Sequence, residues 1–323
     1  MKIVVLDGHV LNPGDISWAP VERLGELVVY DETSQDEVLD RAQDCEVLLL
    51  NKFRLGEEHA RALPSLKLVG LLATGYDNVD VVAFAKHKIA VCNVVAYGVD
   101  DVAQHAMALL LELCRRTSEH SQAVKSGEWS RLGSWCYWKK APICLAGKTM
   151  GIVGYGAIGA CLGRMAHAFG MRVLATSRHQ KPAPDYTPFA FVPLSELLAQ
   201  ADVLSLHCPL TDETRALINS KTLAQMRQGA ILLNTARGAL VDEAACALAL
   251  QSGQLGGFAC DVLCQEPPKP DNPLLAAPNT LFTPHMAWAT TRARQRIIDL
   301  TAENISNFFA GHPSNLVNAF AAS

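Results

Sequence analysis

Short apolar runs alternate with helix-patterned stretches along nearly the whole chain. Lys2–Leu6, Leu27–Tyr30, Val47–Leu50, Leu68–Leu72 and Ala90–Cys92 read as short buried strands, and Gln35–Ala42, Glu57–Leu63 and Val79–Lys88 read as helices between them. Strand and helix in regular alternation predict a parallel sheet covered on both faces. From Val99 a helical pattern runs through Ala103, Met107, Leu110 and Leu111 to Lys125, long enough to carry the chain out of this first unit. The alternation then resumes, with strands expected at Met150–Val153, Arg172–Thr176, Val203–Leu206, Ala230–Asn234, Gly257–Cys260 and Thr280–Thr283. Helices are expected at 157–169, 194–200, 219–226 and 242–252. A last amphipathic helix, 288–310, has apolar positions at Ile297, Ile298, Ile305 and Phe308 but no strand after it, so it is expected to return to the first unit and complete it.

The second block opens on a distinctive junction. The apolar run Met150–Val153 leads into Gly154-Tyr155-Gly156-Ala157-Ile158-Gly159, and a helix pattern follows at once. In a strand, G-x-G-x-x-G, helix unit the first glycine makes the tight turn, the second lets backbone N–H groups approach a pyrophosphate, and the third lets the helix pack against its strand. The helix N-terminus then faces the phosphates. The predicted architecture is therefore α/β with two doubly wound parallel-sheet domains. A Rossmann dinucleotide-binding domain, 99–288, is inserted into a flavodoxin-like substrate domain made of 1–98 and 289–323. Residues 1–98 contain no phosphate-binding glycine loop, which leaves them a substrate or regulatory role.

At 323 residues, half of them apolar, the chain has ample material for two cores. Its formal net charge of −4 argues against a nucleic-acid or anionic-membrane surface. No apolar stretch approaches the roughly 18 residues of a transmembrane helix. Met1 leads straight into a strand pattern with no signal-peptide features, so a cytoplasmic protein is expected. The ten cysteines are scattered without a C-x-x-C, as expected for reduced small hydrophobes rather than a metal site or disulfides. The segment Glu266–Pro273 has four prolines and is expected to be a rigid extended run. Trp129, Trp135, Tyr137 and Trp138 either await cover by a partner subunit, as in a homodimer, or cap the local core; the pattern leaves both open.

In open α/β sheets ligands bind beyond the carboxyl ends of the strands. Three polar residues stand at successive predicted strand ends: Arg237 after Ala230–Asn234, Glu266 after the strand ending near Asp261, and His285 after Thr280–Thr283. A cation that can grip a carboxylate, an acid and a titratable imidazole on one edge favour catalysis.

The strings Gly154 to Gly159, Asn234-Thr235-Ala236-Arg237-Gly238, Asp261 to Glu266-Pro267, Thr283-Pro284-His285, and Ala73-Thr74-Gly75-Tyr76-Asp77-Asn78-Val79-Asp80 resemble the D-isomer-specific 2-hydroxyacid dehydrogenase family in the right order over nearly the whole chain. Asn51-Lys52 and Cys136-Tyr137-Trp138 are similar to its glycerate dehydrogenase (hydroxypyruvate or glyoxylate reductase) branch. The resemblance implies NAD(P)H-dependent reduction of a small 2-oxo acid, hydroxypyruvate or glyoxylate, to the D-2-hydroxy acid. It implies that Arg237 clamps the substrate, that His285 is the acid/base and that Glu266 holds and charges the imidazole. It implies substrate contacts at Asn51, Lys52, Thr74, Gly75 and Tyr76. Implied cofactor contacts are Gly154, Gly156, Ala157, Ile158, Gly159, Ser177, Arg178, His207, Cys208, Pro209, Thr235, Ala236 and His285, with Asp261 accepting from the nicotinamide carboxamide.

One position departs from the NAD pattern. An Asp or Glu ordinarily ends the second strand of the nucleotide unit and binds the ribose diol. Here the place reads Ala175-Thr176-Ser177-Arg178-His179, which favours NADP over NAD because Arg178 can pair with a 2′-phosphate. The alternative from a different class is a nucleotide-sensing corepressor of the same fold; the absence of a disordered tail beyond Ser323 and of an added recognition module weighs against it.

Overall fold

The computed structural model describes residues 1–179 and 181–318; of the expected substrate domain 319–323, and of the expected dinucleotide domain Gln180, lie outside the described residues. The chain divides into two compact units, 1–98 with 288–323 and 99–287.

In the first unit, β1 (Lys2–Val5), β2 (Glu26–Val29), β3 (Val47–Leu50), β4 (Leu68–Leu71) and β5 (Ala90–Cys92) form a parallel sheet in the order β2-β1-β3-β4-β5. Because side chains alternate across a strand, each strand feeds two cores. Val4, Leu48, Leu50, Val69 and Leu71 pack with Phe84 on one face, and Ile3, Val5, Val47, Leu49 and Leu68 pack with Ile297, Ile298 and Ile305 on the other. The last helix, Thr291–Phe309, thus supplies the second cover of this sheet. Arg294 fixes it there, donating to both carboxylate oxygens of Asp15 and to the Leu11 carbonyl. That guanidinium holds the Asp15 carboxyl below its ordinary range.

In the second unit the described residues form seven parallel strands, not the six expected. They are β6 (Thr149–Val153), β7 (Arg172–Thr176), β8 (Phe189–Phe191), β9 (Val203–Leu206), β10 (Ala230–Asn234), β11 (Leu255–Cys260) and β12 (Thr280–Phe282), in the order β12-β11-β10-β9-β6-β7-β8. The additional strand, β8, has three residues at the sheet edge, too few to display a period. It is held by a ring cluster in which Phe189 and Phe191 meet Tyr155 edge-on or tilted.

The expected helix from Val99 to Lys125 is two helices, Val99–Arg115 and Thr117–Lys125. Arg116 between them is left-handed at φ 49°. Tertiary contacts fix the break: the Arg116 guanidinium donates to Asn279, while Glu112 accepts from the Thr117 hydroxyl and the Ser118 N–H and so caps the second helix. The first helix packs Ala103, Ala106, Met107 and Leu110 onto one face of the seven-stranded sheet. The proline-rich segment after Glu266 is also not extended. It bends and turns, with Asn272 N–H donating to the Lys269 carbonyl and Leu275 N–H to the Asn272 carbonyl, because local turn bonds outweigh the polyproline preference.

None of the ten cysteines is paired, and burial pushes the thiols of Cys45, Cys92 and Cys246 up to about 12. Among the described residues no group of three or more potential ligands could hold a metal ion, and no helix is long and apolar enough to cross a membrane. Trp135 is 89% exposed and Trp138 61%, so these two do not cap the core of their own unit.

Candidate active site

The glycine turn lies where β6 meets the helix Ala157–Ala168. Gly154 has φ 94°, and a Cβ there would lie 2.7 Å from the carbonyl carbon of His207 and 2.6 Å from the Cys208 nitrogen. Both the backbone conformation and the close approach of the loop after β9 therefore require glycine. The same contact brings His207 and Cys208 against the phosphate-binding turn, and His207 N–H donates to the Val153 carbonyl. Pro209 continues this loop. Ala157 and Ile158 occupy the first turn of the helix, where N–H groups have no partner within the helix.

The His207 Nε2 lies 2.8 Å from the Ser205 hydroxyl. Burial pushes this imidazole from its ordinary 6.5 down to about 4. Above pH 6.5 neither the folded nor the unfolded ring holds the extra proton. As the pH falls below 6.5 the unfolded ring binds it first, and stability is lost until the pH reaches about 4. The loss is at most ~3 kcal/mol. The expected result is that His207→Gln flattens the decline of Tm between pH 6.5 and 4; an unchanged slope would dissociate His207 from it.

At the far end of β10, Asn234 is fully buried and shapes the next turn. Its side chain accepts from Ala236 N–H and donates to the Arg237 carbonyl. Gly238 follows because a Cβ there would fall 2.0 Å from the Leu263 carbonyl carbon. The Arg237 guanidinium donates once to the Ala236 carbonyl. Among the described residues no carboxylate pairs with it. The neighbouring Thr235 hydroxyl is buried and lacks a partner among the described residues. A buried hydroxyl left in that state costs free energy unless a bound molecule satisfies it.

Glu266 and His285, from the loops after β11 and β12, meet with Oε2 2.6 Å from Nδ1. The other Glu266 oxygen accepts from Leu263 N–H, which fixes the carboxylate. His285 has φ 55°, a conformation that costs a non-glycine residue about 1–3 kcal/mol and persists only where its surroundings enforce it. Pairing at this length orients the ring.

Asp261 directly follows β11. It is 2% exposed, and its oxygens accept from the Thr283 hydroxyl and from Met286 and Ala287 N–H. Its carboxylate is thus engaged within the chain, anchoring the loop that carries His285. Sequence reading missed this because two of the three donors are backbone groups whose position depends on the loop path. Arg178 is likewise not isolated: its Nη1 lies 3.6 Å from Glu213 Oε2, with both side chains exposed. Ser177 follows the end of β7, between Thr176 and Arg178.

In the first unit the sequence-predicted residues cluster at the carboxyl ends of β3 and β4. Asp7 accepts from Asn51 and Lys52 N–H, and burial raises its carboxyl above the ordinary range against the lowering effect of those bonds. Asn78 donates to the Asn51 and Phe53 carbonyls, tying the 51–53 loop to the loop bearing Thr74, Gly75 and Tyr76. The Thr74 hydroxyl is spent on the Val94 carbonyl, and Tyr76 is exposed.

A parallel sheet with this glycine turn and a carboxylate-held imidazole on its carboxyl edge defines an oxidoreductase that works with a nicotinamide dinucleotide. Residues 107–287 match the family model described as D-isomer specific 2-hydroxyacid dehydrogenase, NAD binding domain. The chain is 44% identical to the hydroxypyruvate reductase of Blautia hydrogenotrophica over 98% of its own length and 100% of that protein. It is 39% identical to the glycerate dehydrogenase of Methylorubrum extorquens, over 98% and 99%. Its fold is similar to the NADPH-dependent glyoxylate/hydroxypyruvate reductase of Sinorhizobium meliloti, solved with NADP and malonate, at TM-score 0.84 and 29% identity over 100% and 98% of the chains. The chain belongs to the D-isomer-specific 2-hydroxyacid dehydrogenase family and is an NAD(P)-dependent oxidoreductase of 2-hydroxy acids.

Proposed function

We propose that the enzyme reduces a small 2-oxo acid, hydroxypyruvate or glyoxylate, to its D-2-hydroxy acid, with NADPH preferred and with His285 as the proton donor. The observation that carries this reading is the 2.6 Å pair of His285 and Glu266 on the sheet edge that also bears Arg237. The names of the relatives, which are hydroxypyruvate and glyoxylate reductases and a glycerate dehydrogenase, support the substrate class.

The residues present fit a dinucleotide. The Gly154 turn leaves room for a pyrophosphate, Gly156, Ala157, Ile158 and Gly159 offer backbone donors, and the orphaned Thr235 hydroxyl and the Ala236 backbone border the same edge. The His207–Cys208–Pro209 loop walls the turn. When bound, the reduced nicotinamide supplies the hydride. Reduction of a ketone places negative charge on its oxygen. Arg237 stabilises that charge and orients the substrate carboxylate, and His285 delivers the proton to the oxygen while Glu266 holds the imidazolium in place. Asn51, Lys52 and the backbone of Thr74, Gly75 and Tyr76 are proposed as further substrate contacts. The exposed tryptophans support a homodimer.

Steady-state consumption of NADPH and NADH with hydroxypyruvate, glyoxylate and pyruvate tests the reading. Turnover is expected with the first two acids; no turnover with any 2-oxo acid would overturn it and favour the corepressor alternative.

Preference for NADPH rests on Ser177 and Arg178 in the place of an acid. The exposed Arg178–Glu213 pair is worth only ~0–1 kcal/mol, so a 2′-phosphate can displace Glu213. Ser177→Asp is expected to raise KM for NADPH by about tenfold or more through like-charge repulsion while leaving NADH usable. Parallel KM measurements decide it: a wild type that uses NADH efficiently and ignores NADPH rules the preference out.

A further inference from the structure

The loop that carries His285 is held by an internal network that reaches a histidine on a different element. Asp261, at the end of β11, accepts on Oδ1 from the Thr283 hydroxyl and from Met286 N–H at 2.9 Å, and on Oδ2 from Ala287 N–H at 2.8 Å. Its backbone carbonyl accepts from His285 N–H at 2.8 Å. One buried residue therefore fixes the chain on both sides of His285, which explains how the left-handed conformation is maintained.

Thr283 has a second polar contact, with His105 Nε2 at 2.9 Å. A hydroxyl carries one proton, and the carboxylate of Asp261 can only accept it. Towards His105 the hydroxyl must then be the acceptor, so the imidazole bears its proton on Nε2. The same nitrogen lies 3.6 Å from Asp261 Oδ1. His105 sits on the helix Val99–Arg115, which is seated on the sheet by Ala103, Ala106, Met107 and Leu110. The chain of hydrogen bonds runs from that helix through His105 and Thr283 to Asp261, whose backbone carbonyl accepts from the peptide N–H of His285.

We propose that His105 is a positioning residue for the reaction: through the Thr283 hydroxyl and Asp261 it locks the loop that aims the His285 imidazole, while Glu266 holds the ring from the other side. His105 itself touches no reacting atom. This inference rests on the reading of His285 as the acid/base. A loop displaced by as little as 1 Å misaligns the proton donor, and errors of that size cost about 10²-fold in rate.

The test compares His105→Leu with His105→Gln in the full-length protein. Leucine removes the donor, whereas glutamine retains an N–H that can reach the Thr283 hydroxyl. His105→Leu is expected to lower kcat by about 10–100-fold, to leave the dissociation constant for the reduced dinucleotide unchanged, and to be largely rescued by glutamine. Should the leucine variant not fold, Thr283→Val and Thr283→Ser carry the same comparison, with loss in the first and near-normal kcat in the second. Wild-type kcat in His105→Leu or Thr283→Val overturns the proposal, as does a loss that glutamine or serine fails to restore. His285→Gln run alongside separates the two levels: if it keeps turnover, the acid/base reading fails whatever His105 does, whereas an inactive His285→Gln with a fully active His105→Leu defeats the positioning role alone.

Discussion

Arg237→Ala is expected to lower kcat/KM for the 2-oxo acid by about two to four orders of magnitude while dinucleotide affinity stays nearly intact. The figure follows from the ~3–5 kcal/mol lost when one partner of a desolvated charge pair is removed. Arg237 is the side chain suited to meet both the substrate carboxylate and the charge that grows on the carbonyl oxygen, since among the described residues no carboxylate neutralises it. A surface arginine would behave differently, its loss changing the rate by little. The turn that presents it is built by Asn234 and Gly238, neither of which depends on the Arg237 side chain, so the variant retains the fold. Near-wild-type turnover would remove Arg237 from the site.

His285→Gln is expected to lower kcat for reduction by roughly 10²–10⁴-fold at every pH, the usual contribution of a positioned general acid. Glutamine can still donate a hydrogen bond to Glu266, but it has no proton to deliver. Glu266→Gln has a different signature. The carboxylate 2.6 Å from Nδ1 fixes the orientation of the ring that delivers the proton. Without its charge the ring is held less firmly, so kcat is expected to fall, by less than in His285→Gln, while dinucleotide affinity is unchanged. Wild-type kcat in the Glu266→Gln variant would exclude the role assigned to Glu266.

The parts of this site that were legible in the sequence are those dictated by local chemistry. The glycine turn at Gly154–Gly159 announces itself because only glycine tolerates both its φ and the approach of the next loop. Arg237, Glu266 and His285 could be singled out because strand ends are predictable from apolar runs, and ligands of parallel sheets gather there. Tertiary contacts decided the rest. The break at Arg116 comes from Asn279 and Glu112, the first of them far away in sequence, and no helix-stop residue marks it. Strand β8 has too few residues to show periodicity. The buried role of Asp261 depends on backbone donors at Met286 and Ala287, and its link to His105 spans two elements far apart in the chain. Arg178 was readable as a phosphate partner, but its competitor Glu213 lies in another loop.

The proposed reduction of a small 2-oxo acid gives the D-configured product. Chiral separation of the glycerate formed from hydroxypyruvate and reduced dinucleotide by the purified enzyme tests it most directly. D-glycerate as the sole product, formed in step with dinucleotide consumption, is the predicted result; L-glycerate, a racemate, or no glycerate would contradict it.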